Sequence, residues 1–226
     1  SNPVRARFYE YPRFTYPWHF HSEYEIIYVE KGEGDCLVGD SIISYSKGDL
    51  ILFGSELPHS MQSPPDGGEE SDNEEKTEPK VRGVNIQFEK DFMHYSISQY
   101  SQFIPIRNLL EDACRGIKFT ITRSGKIIKL LEQIPSAKGA DQIILLLSLL
   151  QMMATSNHKK YLTTSHYTPS PSIMRNERME KVIAYLNKHY TESIGLDEIA
   201  SYTAMNPTAF CRYFKENTGK TFKEYV

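Results

Sequence analysis

The sequence predicts an α+β fold: a small antiparallel β-barrel with a helical segment behind it, then a separate all-α unit. Three observations predict it. Short strand-forming runs with glycine turns between them fill the stretch from Tyr24 to Phe88. After Phe92 the apolar spacing changes from every second residue to about every 3.6 residues. A stretch rich in Thr, Ser and Pro then precedes a final helical segment. These signals divide the chain into residues 1–160, a linker at 161–175 and an all-α unit at 176–226.

Taken in order, Arg7 to Phe20 is crowded with aromatic residues, and Pro12 and Pro17 forbid a helix there, so an extended arm is expected. Strands are expected at Tyr24–Glu30, Cys36–Val38, Ser41–Tyr45, Asp49–Phe53 and Val81–Phe88. Gly32, Gly34, Gly39 and Gly48 mark the turns between them. Residues 64–79 carry Asp66, Glu69, Glu70, Asp72, Glu74, Glu75 and Glu78 against Lys76 alone, which predicts a disordered acidic loop. Helical spacing follows at Ile104–Cys114, Lys126–Ile134 and Asp141–Met153. Apolar residues nearly encircle the last of these, so more than one side needs cover, and a second copy of the same helix would provide part of it.

The bulk properties narrow the classes. With 226 residues, 39% hydrophobic and 24% charged, the chain suits one large domain or two small ones. The longest apolar stretch, Ile143 to Leu150, is broken by Ser148 and is too short to span a membrane. Cys36, Cys114 and Cys211 lie far apart with no CxxC spacing, which argues against a disulfide framework and for the cytoplasm. A formal net charge of −3 gives no electrostatic support for nucleic-acid binding, so that case rests on local pattern.

The densest early pattern is His19-Phe20-His21-Ser22-Glu23-Tyr24-Glu25, followed by Gly32, then Gly48 and His59. In a strand, positions 19, 21 and 25 share a face, so two imidazoles and a carboxylate converge. This spacing resembles the two motifs of the cupin barrel. Gly54 and Glu56 stand where the second motif usually has a proline and a glycine. Neutral imidazole and carboxylate suit a divalent metal such as Zn, Ni, Mn or Fe(II), so His19, His21, Glu25 and His59 form a candidate metal set. The alternative is that they line a pocket for a small polar ligand and need no cofactor. Trp18, Tyr24 and Tyr28 are candidates for stacking on such a ligand, or equally structural residues on the outer face.

Toward the end, Arg178–Tyr190 is an amphipathic helix, and Leu196 opens another with Ile199 and Ala200 on its buried side. Asn206 is a good N-cap and Pro207 a good first helical residue for a third, which buries Phe210 and Phe214 and stops at Gly219. Leu196 to Tyr225 resembles the first of the two helix-turn-helix units of the AraC family of transcription regulators. The resemblance implies a cupin-like effector sensor with a helical dimerisation segment, joined to an AraC-type DNA-binding unit, with no catalytic residues. It places Thr208, Cys211, Arg212 and Lys215 at the DNA, with Arg212 reading a base and Lys215 touching phosphate. The implied partners are DNA, a small-molecule effector such as a sugar and a second copy of the chain. Because the sequence stops at Val226, where the connecting helix would begin, it also implies a truncated unit that binds its operator weakly. The competing reading is a metal-dependent cupin enzyme, an oxygenase or isomerase, with merely structural C-terminal helices.

Overall fold

A computed structural model describes residues 2–64, 80–121, 125–168, 181–182, 185–186, 189, 194–218 and 221–225. The acidic loop, Gly219 and most of the Arg178–Tyr190 helix lie outside the described residues.

Eight strands come first: β1 (Val4–Tyr11), β2 (Thr15–His19), β3 (Tyr24–Lys31), β4 (Gly34–Val38), β5 (Ser41–Tyr45), β6 (Asp49–Phe53), β7 (His59–Gln62) and β8 (Val81–Phe88). Helices α1 (His94–Gln99) and α2 (Ile104–Asp112) precede β9 (Ile117–Thr120). Helices α3 (Gly125–Gln133) and α4 (Ala140–Ala154) then lead to β10 (Lys159–Tyr161). Among the described residues, the helices bounded after β10 are α5 (Leu196–Tyr202), α6 (Pro207–Thr218) and α7 (Phe222–Tyr225).

The strands form two antiparallel sheets, ordered β1-β8-β3-β6-β9-β10 and β2-β7-β4-β5. They do not close into the expected barrel. From β1 to β4 the chain alternates between sheets at each turn, so the ladders end at the corners. The aromatic arm is likewise ordered: β1 pairs with β8 along its whole length, and β2 pairs with β7. Its prolines fall where they cost little, with Pro12 between the strands and Pro17 at the irregularity in the β2–β7 ladder.

Burial explains the sequence of the central strands. Ile27, Val29, Ile51 and Phe53 point between the sheets and meet Cys36, Val38 and Met61. Their neighbours Ile26, Leu50 and Leu52 point the other way, onto Leu109, Leu131, Leu146, Leu149 and Leu150 of the helices. A strand covered on both faces is apolar along most of its length: all five residues of β6 are buried, and its one polar residue, Asp49, accepts bonds from the Ser46 amide and Lys118. At Gly83 the backbone carbonyl of Tyr28 lies 1.8 Å from where a Cβ would sit, so no side chain fits there. The start of the expected linker is docked rather than free. β10 pairs with β9, the Leu162 amide bonds to the Gly116 carbonyl at 3.0 Å, and Leu162 and Thr163 are buried.

A third apolar cluster joins Val182, Tyr185, Leu186, Ile199, Ala200, Phe210, Phe214 and Phe222 of the C-terminal segment. Ala200 is fully buried, as the close approach of short helices requires. The Asn206 side-chain oxygen accepts the Ala209 amide at 2.8 Å, the N-cap bond expected at the start of α6. Trp18 belongs to this same cluster.

Candidate functional site

The site is built where the two sheets face each other. His19 on β2 stands opposite His59 on β7 in the ladder, with ring centroids 4.4 Å apart. His21 lies in the turn that leads from β2 to β3, and Glu25 lies on β3 of the other sheet. The second motif ends in a turn where Glu56, in the usual glycine position, takes a left-handed φ of 63°. Its amide bonds to the His21 carbonyl at 2.7 Å, which ties the two motifs together.

Glu25 is the hub. One carboxylate oxygen lies 2.6 Å from His21 Nε2 and 3.3 Å from His59 Nε2, and accepts a hydrogen bond from Gln87 at 3.3 Å. The other accepts from the Asn85 amide. A carboxylate only 5% exposed needs this saturation, because burying it without partners would be costly. Burial opposes its charge, yet the bonds from His21 and His59 hold its pKa well below the usual carboxylate range. His21 is lowered by burial but raised on balance by its bond to Glu25 and that group's charge. His19 moves the other way, down to about 4, through burial and then the neighbouring His59, so it is neutral at pH 7.

The four expected residues thus come together, with one potential ligand atom from each lying within 4.8 Å of the others. They fit a divalent metal by donor chemistry. Each Nδ1 faces a backbone carbonyl: Pro17 for His19 at 2.8 Å, Glu23 for His21 at 3.1 Å and Leu57 for His59 at 2.7 Å. With a metal bound, each Nδ1 would keep its proton, and Nε2 of His21 and His59 would give up the proton they donate to Glu25 and turn their lone pairs to the ion, the arrangement that orients imidazole ligands in metal sites.

Other expectations land elsewhere. Trp18 is turned away from the imidazoles and packs against Tyr225 with ring centroids 5.8 Å apart, so it cannot stack on a ligand beside them. The alternation of a strand is the reason, since Trp18 and His19 are consecutive. Tyr24 stacks on Phe88 at 5.1 Å, and Tyr28 belongs to the helix-side core. Asn85 and Gln87 were missed as site residues. Their signal was two amides alternating with Val84, Ile86 and Phe88 in an otherwise apolar strand. On α6, Thr208, Arg212 and Lys215 are exposed and Cys211 is half-buried, on the face opposite Phe210 and Phe214.

Among the described residues, no helix is long and apolar enough to cross a membrane. Residues 2–71 match the AraC-like ligand-binding domain family. The HTH-type transcriptional regulator YbfI of Bacillus subtilis (strain 168) is 23% identical over 220 residues, covering 93% of this chain and 69% of that protein. Its counterpart YdeC from the same organism is 22% identical, covering 93% of this chain and 68% of that protein. The crystal structure of an apo variant of ToxT from Vibrio cholerae strain SCE256 overlays with a TM-score of 0.46 and 14% identity, covering 100% of this chain and 97% of that one. The chain is thus similar over residues 2–71 to the AraC-like ligand-binding domain family, and along 93% of its length to HTH-type transcriptional regulators.

Proposed function

We propose that this chain is a ligand-responsive, DNA-binding transcription regulator: residues 1–160 sense a small polar effector of the carbohydrate class, and residues 176–226 engage DNA through α5 and α6. One observation carries the coupling. His19 faces the Glu25 cluster while its neighbour Trp18 is anchored among the C-terminal helices. An effector that moves β2 therefore changes what those helices pack against. It shifts the protein between two arrangements by its differential affinity for them.

In this reading Arg212 pairs with a base edge in the major groove, flanked by Thr208 and Cys211, and Lys215 touches phosphate. The effector's hydroxyls meet the donors and acceptors around Glu25. A divalent ion on His19, His21, Glu25 and His59 would supply a Lewis-acidic centre for such hydroxyls. The protein's own part is to hold those side chains in place through the carbonyls of Pro17, Glu23 and Leu57. The relatives are regulators, so the enzyme reading gains no support from them. The chain acts as a homodimer through α4, whose Ile144 is 58% exposed while Leu146, Leu149 and Leu150 are fully buried.

Selection of duplexes from a random pool by the full chain tests the DNA claim. Enrichment of one sequence, lost on Arg212→Ala while the fold persists, is expected. Failure to retain any duplex above a scrambled control would defeat it.

A further inference from the structure

Beside the Glu25 cluster runs a cleft of about 830 Å³, bounded by β1, β8 and the turn between α3 and α4. That volume lies within the roughly 300–1,000 Å³ of small-molecule sites. The space among Tyr16, His19, Glu25 and His59 is about 50 Å³, room for an ion or a water rather than a sugar. Arg7 and Gln87 line both spaces, so the cleft and the cluster share a wall.

The charge of the cleft is one-sided. Arg5, Arg7 and Lys138 line it and, among the described residues, no Asp or Glu does, in a chain whose formal net charge is −3. Arg5 meets Glu23 at 3.3 Å in an exposed pair, a contact worth little. Arg7 donates to the Tyr16 hydroxyl at 3.2 Å, and among the described residues neither Arg7 nor Lys138 has an ion-pair partner. Strand register sets Arg5 opposite Gln87 and Arg7 opposite Asn85. Residues directly opposite share a face, so two guanidiniums and two amides stand together as donors. Grouped cations, two of them without an ion-pair partner among the described residues and the third in a weak exposed pair, favour an anion, and guanidinium groups match the planar oxygens of carboxylate and phosphate.

We propose that this cleft is the effector site and that it takes a small oxyanion, a polyhydroxylated molecule bearing a carboxylate or phosphate. Arg5, Arg7 and Lys138 hold the charged group, and the hydroxyls point toward Gln87 and the cluster. Gln87 and Asn85 also donate to Glu25, so occupancy of the cleft reaches the imidazoles through two side chains. This rests on the sensor reading and narrows the effector's chemical class.

Calorimetric titration of the full chain with gluconate, glucose 6-phosphate and glucose tests it, alongside Arg7→Gln, Lys138→Gln and a control, Arg82→Gln. Arg82 pairs with exposed Glu30 outside the cleft. The expected result is binding of one or both oxyanions, at least about tenfold tighter than glucose and weakened about tenfold by each cleft variant but not by the control. The gluconate and phosphate arms say which oxyanion the cleft prefers. Glucose binding as tightly as its acids, oxyanion binding untouched by both cleft variants, or no oxyanion binding would each overturn the proposal. The sensor reading fails separately. A neutral sugar that changes duplex binding would spare the sensor and sink the oxyanion, whereas oxyanion binding with no duplex bound would do the reverse.

Discussion

Glu25 accepts bonds from His21, His59, Asn85 and Gln87, which makes it the most heavily bonded side chain of the site. Glu25→Gln keeps the shape but removes the charge and one acceptor. Its amide nitrogen then points donors either at Asn85 or at His21, His59 and Gln87, all of which donate to the carboxylate. A loss of about 2 kcal/mol is expected, read as a lower denaturant midpoint at unchanged slope. At this scale the sequence was most legible for residues whose chemistry depends on spacing. The HxHxxxE run brings His19, His21 and Glu25 together because strand alternation and a short turn leave few other outcomes. Asn85 and Gln87 lie about sixty residues from Glu25 in the chain, and only the β3–β8 register, which sets Glu25 opposite Gln87, reveals them. The sequence leaves Trp18 open between stacking on a ligand and a structural role for a related reason, since its partner Tyr225 comes from the other end of the chain.

Among elements, those with a single strong periodicity were read closest to their true limits. The expected strands Ser41–Tyr45, Asp49–Phe53 and Val81–Phe88 match β5, β6 and β8 end to end. The expected helix from Asp141 to Met153 falls inside α4, Ala140–Ala154. β1 and β2 were read as an arm because proline and aromatic crowding hides alternation, and β9 and β10 are too short to show any. Helix α4 presents two faces that predict two distinct behaviours. Leu149 is fully buried against the sheet, so Leu149→Ala should cost about 2–5 kcal/mol in chemical unfolding. Ile144 is 58% exposed, so Ile144→Lys should leave unfolding nearly unchanged and lower the mass measured by light scattering from dimer to monomer. A wild-type mass of one chain would remove the dimer from the account.

At the scale of the whole molecule, the layers are a four-stranded sheet, a six-stranded sheet and a helical cover, with the C-terminal helices attached beside Trp18. Whether the sheets close into a barrel was not legible, because closure depends on which edges pair and not on the alternation within any strand. The aromatic core between the sheets has a consequence at high pH. Burial is the first cause that raises the phenols of Tyr9, Tyr16, Tyr45 and Tyr167, the last three to about 12. The unfolded chain releases these protons near pH 10, so their contribution to stability is complete below that and is lost as pH rises toward 12. Phenolate absorbance and circular dichroism recorded together should therefore change in one cooperative step well above pH 10, and early independent ionisation of these tyrosines would contradict their burial.

The measurement that bears most directly on the central claim is the affinity of a selected duplex for the full chain with and without a bound effector, in the wild type and in Trp18→Ala. A wild-type shift of about 5–150-fold on adding effector is expected, with its loss in Trp18→Ala even though effector still binds. Duplex affinity in the wild type that is indifferent to a demonstrably bound effector would contradict the account.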